Sequence, residues 1–190
     1  MIKNTINKIS STDIDNITKI LNFWFDPLNK QYQFKSTPDF DNIIRENYFE
    51  LYTNAANGEL YHWKEMIPDG YLALTILLDQ FPRNMFRNDA RSFQTDHLAL
   101  SLVKEAVDTG IDNKIEKQEH KLFIYLPYMH SESIDDQDKC CELLKSHYAY
   151  PWAVNHREEI KRFGRFPGRN KALNRVSTEE EIEYLSSLKH

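Results

Sequence analysis

Apolar residues recur every three or four positions along almost the whole of this 190-residue chain. The first run steps through Ile14, Ile17, Leu21 and Trp24, the spacing that places side chains on one face of an α-helix. No stretch shows the strict alternation of apolar and polar residues that marks a half-buried β-strand. We therefore predict an all-α fold of about eight helices, paired as antiparallel hairpins.

Proline and capping residues suggest where individual helices begin and end. Residues 71–81 form a short, almost wholly apolar helix that Pro82 should terminate, and such a helix belongs in the middle of the core. Residues 118–126 form another short helix. We expect a turn after Pro127 that leads to a capping residue, Ser133.

The ends of the chain show two further signals. The last helix opens with Ser177-Thr-Glu-Glu180, which has the spacing of a capping box. Residues 1–11 are rich in Asn, Lys, Ser and Thr, and we expect them to form a flexible tail. No shift in composition marks a linker in the remainder, so residues 12–190 are predicted to form a single helical domain.

Charge and cysteine content exclude several classes of protein. The chain has 24 Lys and Arg against 29 Asp and Glu, so a generally basic surface for nucleic acid or membranes is not expected. It has no apolar run typical of a signal peptide or of a transmembrane helix. Its two cysteines, Cys140 and Cys141, are adjacent and unsuited to a disulfide. We therefore expect reduced thiols and a cytoplasmic location.

Three segments place charged, aromatic and proline residues together at predicted helix ends. They read LLDQFPRN (77–84), YLPYMHSE (125–132) and RFGRFPGRN (162–170). Capping alone does not require this mixture, because helices ordinarily end with Gly, Asn or Ser. These segments are therefore the candidates for a functional site.

The same three segments resemble the signature of a bacterial family known as domain of unknown function 924. The resemblance extends to Phe-Trp-Phe at 23–25, Ala-Ala-Asn-Gly-Glu-Leu at 55–60, Asp96, His156 and the Ser177-Thr178…Glu180 sequence near the end. It covers about residues 18–186 in order. It implies an all-helical fold of the tetratricopeptide-like type and implies no activity. The chain differs from the family pattern at Gly168, where a histidine is expected, and at Asn174, where a glycine is expected.

The arginines allow two interpretations. Residues 157–175 contain seven Lys and Arg residues but only two Glu, in a chain that is acidic as a whole. These arginines could grip a phosphate or carboxylate, which a guanidinium binds through two parallel hydrogen bonds. They could equally form an internal clamp by pairing with Asp79, Glu132 or Asp96. Both roles could coexist, because pairing orients an arginine for a ligand.

His130 and Glu132 are the candidates for acid–base chemistry. A histidine near a carboxylate can act as a general base, or it can simply hold a helix end. Two residues apart is not the spacing that places two metal ligands on one helical face, so no metal and no cofactor are expected. His156 could add a second imidazole to the same place.

Three hypotheses follow for the function. The first is a domain that binds a small anionic ligand or peptide, with Arg83, Arg165 and Arg169 holding the anion. In this hypothesis Asp79, Gln80 and Glu132 orient those arginines. The remaining ligand-binding candidates are Asn84, Arg162 and Arg175.

The second hypothesis is a small hydrolase or lyase, with His130 as the base, Glu132 as its orienting partner and Arg165 as the anion stabiliser. The third is a protein-interaction module in which the arginine-rich motif is purely structural. A nucleic-acid partner is not expected, because the chain has no RNP strand motif. The sequence indicates no particular oligomeric state.

Overall fold

The computed structural model describes residues 9–188, so the first eight residues of the predicted tail lie outside the described part. Ser10 caps the first helix, and its hydroxyl and the Asp13 carboxylate form a capping box. The helices are α1 (Ser11–Trp24), α2 (Pro38–Ala56), α3 (Asp69–Thr75), α4 (Phe81–Met85), α5 (Asp96–Asp108), α6 (Gln118–His130), α7 (Ile134–Leu143), α8 (Tyr150–Phe163) and α9 (Glu179–Ser187).

A π-helical turn, Ile76–Gln80, joins α3 to α4 without a break. Residues 9–188 therefore contain eight continuous helices and no strand, which confirms the predicted all-α class. Along the second half of the chain, consecutive helices from α5 to α8 pack against each other. None of the helices in the described part is long and apolar enough to span a membrane.

The prediction that Pro82 ends the central helix was wrong. Pro82 cannot donate to the carbonyl oxygen of Leu78, as the residue four positions on would do in an α-helix. The hydroxyl of Thr95 donates to that oxygen instead, over 2.6 Å. The helix widens just before the proline, where the Phe81 amide donates to the Ile76 carbonyl five residues back. This helix is buried on all sides, so its predicted place in the core is correct.

The predicted end of α6 before Pro127 was also wrong, because this helix continues through the proline to His130. Its last carbonyl groups are not left unpaired. The side-chain amide of Gln137, in α7, donates to the carbonyl oxygens of Met129 and Ser131, over 2.8 and 2.7 Å. His130 therefore lies in the last turn of a helix, where its side chain has a fixed direction.

Two predicted caps are shifted. The Ser133 side chain does not cap α7; instead the Ser131 hydroxyl accepts from the Ser133 amide and donates to Asp136. The capping box of α9 uses Thr178 and Glu181, one residue later than predicted. These shifts leave the order of the helices unchanged.

Candidate functional site

His130, the last residue of α6, faces Asp79 in the π-helical turn. The Nδ1 atom of His130 lies 2.7 Å from Oδ1 of Asp79. Asp79 is fully buried, and it also accepts hydrogen bonds from Gln80 and, over 3.2 Å, from Arg83. The carboxylate that orients His130 is therefore Asp79, which corrects the predicted pairing with Glu132.

The protonation of this pair follows from its surroundings. Burial and the charge of Arg83 lower the pKa of His130 to about 4. Burial alone would raise the pKa of Asp79, but His130 and Arg83 outweigh it and hold that pKa below its usual range. An ionised carboxylate only accepts hydrogen bonds, so Nδ1 carries the imidazole proton. The Nε2 atom of His130 is then an acceptor, and it bonds no residue within 9–188.

Two arginines extend the pair into a buried charge cluster. Arg83 donates to Oδ1 of Asp96 over 2.9 Å, and Arg169 lies 3.4 Å from Oδ2 of the same carboxylate. Arg169 also donates to the backbone oxygen of His130 over 2.8 Å, and its guanidinium stacks on the ring of Phe93. The three polar segments of the sequence therefore meet here. In this cluster both arginines have protein partners, as the internal-clamp interpretation expects.

The other predicted ligand-binding arginines lie outside the cluster. Arg175 donates two hydrogen bonds to Glu132, of 2.7 and 3.0 Å. Arg165 does the same with Glu181, over 2.6 and 2.8 Å. Arg162 forms an exposed ion pair with α9. Arg165 and Arg175 therefore fasten the C-terminal segment, and Arg162 lies in a surface pair. None of the three, nor Glu132, lines a cavity with His130, contrary to the prediction that they belong to one ligand site.

A cavity of about 560 Å³ opens beside His130, and most of its wall is apolar. This volume is in the range of pockets that take small molecules. The apolar wall includes Phe25, Phe34, Leu122, Leu126, Met129 and Trp152. The exposed ion pair of Lys30 and Glu119 lies at its rim.

A smaller cavity of about 210 Å³ adjoins the first and shares His130, Gln33, Phe34 and Leu126 with it. Its other walls are polar and come from Ser36, Gln80, Arg83, Asn84 and Arg87. The guanidinium of Arg87 is half exposed and holds Asp41 through Nε and Nη2, over 2.7 and 3.0 Å. Its Nη1 group bonds no residue of the described part. Arg87 can therefore still donate to a ligand.

Of the predicted site residues, Gln80, Arg83, Asn84 and His130 line the smaller cavity. Asp79 lines neither cavity and lies buried behind His130. Sequence reasoning missed Arg87, Phe34 and Trp152. Arg87 follows Arg83 by four residues, so extending the first polar segment by one turn would have included it. The two aromatic residues lie at the ends of other elements, and nothing in their local sequence connects them to His130.

The structure shows the surroundings of Gly168 and Asn174, the two positions at which the chain differs from the family pattern. Gly168 faces open space, since a Cβ atom there would meet nothing within 4 Å. Asn174 has a φ angle of +53°, a conformation that glycine and asparagine adopt more readily than other residues. The glycine expected at this position is therefore replaced by a residue that suits the same backbone.

The geometry defines a class of protein: an all-helical domain with an apolar cavity beside a buried Asp–His pair. The model of the family described as bacterial protein of unknown function (DUF924) matches residues 20–188, and the chain belongs to that family. A solved structure of a protein of unknown function from Agrobacterium tumefaciens is similar, with 36% sequence identity and a TM-score of 0.86. The match covers 92% of this chain and 98% of that one. No curated protein is significantly similar.

Proposed function

We propose that this protein binds a small amphipathic molecule in the two adjoining cavities. The apolar body of the ligand occupies the larger cavity, and an anionic head group, a carboxylate or phosphate, lies beside His130 and Arg87. The observation that carries the proposal is that an apolar cavity adjoins a polar one and that His130 lines both.

Charge favours Arg87 as the group that contacts the head of the ligand. Arg83 also lines the smaller cavity, but it is paired with both Asp79 and Asp96. Arg87 is paired with one carboxylate, that of Asp41, and its remaining Nη1 group is free to donate. A charge-assisted hydrogen bond to an anion is stronger than one between neutral groups, so this donor supplies specificity for the head group.

Tryptophan fluorescence can test this binding, because Trp152 lines the larger cavity while Trp24 and Trp63 are fully buried. We expect octanoate and octyl phosphate to change the emission saturably, and acetate and inorganic phosphate to have no effect. Two methylene groups contribute about 1.6 kcal/mol on burial, so octanoate should bind about 15-fold more tightly than hexanoate. The Trp152→Phe variant should lose the signal.

Matched arginine variants test the contact with the head group. Arg87→Gln should weaken octanoate binding severalfold, whereas Arg162→Gln should leave it unchanged, because Arg162 lies in an exposed pair outside the cavities. The interaction-module hypothesis expects no saturable response to any of these ligands. Absence of a response to millimolar octanoate and octyl phosphate would therefore reject the binding proposal.

A further inference from the structure

We propose that Asp79 and His130 form a general-base dyad that hydrolyses carboxylic esters bound in the two cavities. This inference rests on the proposed function for the position of the substrate, and adds a reaction to it. The substrate class is an ester of an apolar carboxylic acid, whose acyl chain fits the larger cavity and whose carbonyl group lies at the junction.

The dyad has the arrangement that a general base requires. A buried carboxylate fixes Nδ1 of His130 as the protonated nitrogen, so the lone pair of Nε2 is available. His130 lines both cavities, and its side chain is 18% exposed. The base is therefore accessible from the place where the substrate binds.

The molecule has a second Asp–His contact, at His62, and comparison with it shows why His130 is suited to act as a base. Nε2 of His62 lies 3.2 Å from Asp13, and Nδ1 of His62 lies 3.1 Å from the carbonyl oxygen of Glu59. Both ring nitrogens of His62 are therefore occupied, and the residue does not line either cavity. Of these two pairs, only the one with His130 leaves a nitrogen free for a substrate.

The reaction needs only water as a co-reactant. Nε2 of His130 takes a proton from a water molecule as the water oxygen attacks the ester carbonyl carbon. The carbon–oxygen bond to the leaving alcohol then breaks, and the proton on Nε2 passes to the departing alkoxide oxygen. The carboxylic acid and the alcohol leave, and His130 is neutral again.

Asp79 and Arg87 are the charged groups that support this cycle, whereas burial and Arg83 disfavour the imidazolium. Asp79 stabilises the imidazolium that forms, since an ionised carboxylate attracts it across the 2.7 Å hydrogen bond. Arg87, which keeps a free donor, lines the smaller cavity, where negative charge develops on the carbonyl oxygen. The site therefore contains a base, His130, a carboxylate that orients it, Asp79, and a cation, Arg87.

The pH profile follows from the groups that surround His130. Asp79 and Arg83 face His130 from the helix that contains the π-helical turn, and Arg169 donates to the backbone oxygen of His130. Asp96 forms ion pairs with both arginines. The low pKa of His130, about 4, keeps the base unprotonated in neutral solution. We expect kcat/KM to rise from pH 4 and to be flat between about pH 6 and 8.

The test is hydrolysis of p-nitrophenyl hexanoate by the full chain. His130→Gln should lower kcat at least 100-fold while KM changes less than threefold, because glutamine keeps the volume of the side chain but cannot accept the proton. Asp79→Asn should also lower kcat, since the amide no longer fixes the tautomer. The matched control is His62→Gln, which should keep activity within twofold of the wild type.

Each outcome decides something specific. If octanoate binds but the wild type does not accelerate hydrolysis, the dyad proposal is overturned and the binding proposal stands. If octanoate does not bind either, both fail. Hydrolysis that survives His130→Gln, or that falls equally with His62→Gln, also overturns the dyad. The emission of Trp24 and Trp63, which are fully buried in the folded protein, shows whether each variant has folded, so loss of activity through unfolding is recognised.

Discussion

His130 carries a stability cost that depends on pH. Its pKa falls from the ordinary value of 6.5 to about 4 on folding, because of burial and the nearby Arg83. Between these two values the unfolded chain binds a proton that the folded protein does not. The stability of the folded protein therefore rises with pH across this interval, and is lost as the pH falls from 6.5 to 4.

This linkage predicts a pH-dependent difference between the wild type and His130→Gln. A pKa shift of this size corresponds to about 3 kcal/mol. Urea unfolding at a series of pH values should show the wild type losing about that much more stability than the variant between pH 7 and 4. Asp96, whose pKa burial raises to about 6, contributes the opposite slope but is present in both proteins. A difference between the two proteins that does not vary with pH would contradict the prediction.

At the scale of the elements, two prolines show what local sequence can and cannot predict. The apolar periodicity predicted the helices that contain Pro82 and Pro127, but each was expected to end near its proline. Proline removes the hydrogen bond to the carbonyl four residues earlier, and another group can supply that bond instead. For Pro82 that group is Thr95, which is 13 residues further along the chain. A local pattern carries no information about such a distant donor.

The bond from Thr95 to the Leu78 carbonyl can be tested with a double-mutant cycle. Thr95→Val leaves a buried carbonyl oxygen without a donor, so we expect a loss of about 1–3 kcal/mol in the free energy of unfolding. In the Pro82→Ala background the new amide can donate to that carbonyl, and the same substitution should cost less. Equal costs in the two backgrounds would show that Thr95 stabilises the protein in another way.

A close backbone approach at the start of α3 gives a second prediction for this helix. A Cβ atom on Gly70 would lie 1.8 Å from the carbonyl oxygen of Trp63, which is a backbone atom and cannot rotate away. Gly70→Ala should therefore destabilise the protein by at least about 2 kcal/mol, as overpacking in a core does. Gly168→Ala is the matched control and should have little effect, since open space surrounds Gly168. Thermal unfolding of the two variants measures the contrast.

For the molecule as a whole, the internal-clamp interpretation named Asp79, Glu132 and Asp96 as partners of the arginines, and each of them does bind an arginine. The sequence did not predict which arginine binds which carboxylate. The three polar segments do meet at Asp79, His130 and Arg169. Arg175 binds Glu132 of the second segment, whereas Arg165 binds Glu181 in α9. Many arginine–carboxylate pairings satisfy the same sequence, and only the packing of the helices selects among them. The cavity was not predicted for the same reason, because its walls come from elements far apart in the chain.

Arg169 joins distant parts of the fold, so its removal tests the prediction that residues 12–190 form one domain. It contacts Asp96 in α5 and the backbone of His130 in α6, from a turn near the C-terminal end. Arg169→Met should lower the free energy of unfolding by about 2–4 kcal/mol, because it removes one partner of a buried charge cluster.

In a single cooperative domain, circular dichroism and tryptophan fluorescence should give coincident unfolding curves, and Arg169→Met should shift both together. Trp24 and Trp63 report on the N-terminal half, and Trp152 reports on α8. Arg162→Met should move neither curve appreciably, because the pair it breaks is exposed. Separate transitions for the Trp152→Phe variant and the wild type would show that the C-terminal helices unfold independently, and would divide the chain into two units.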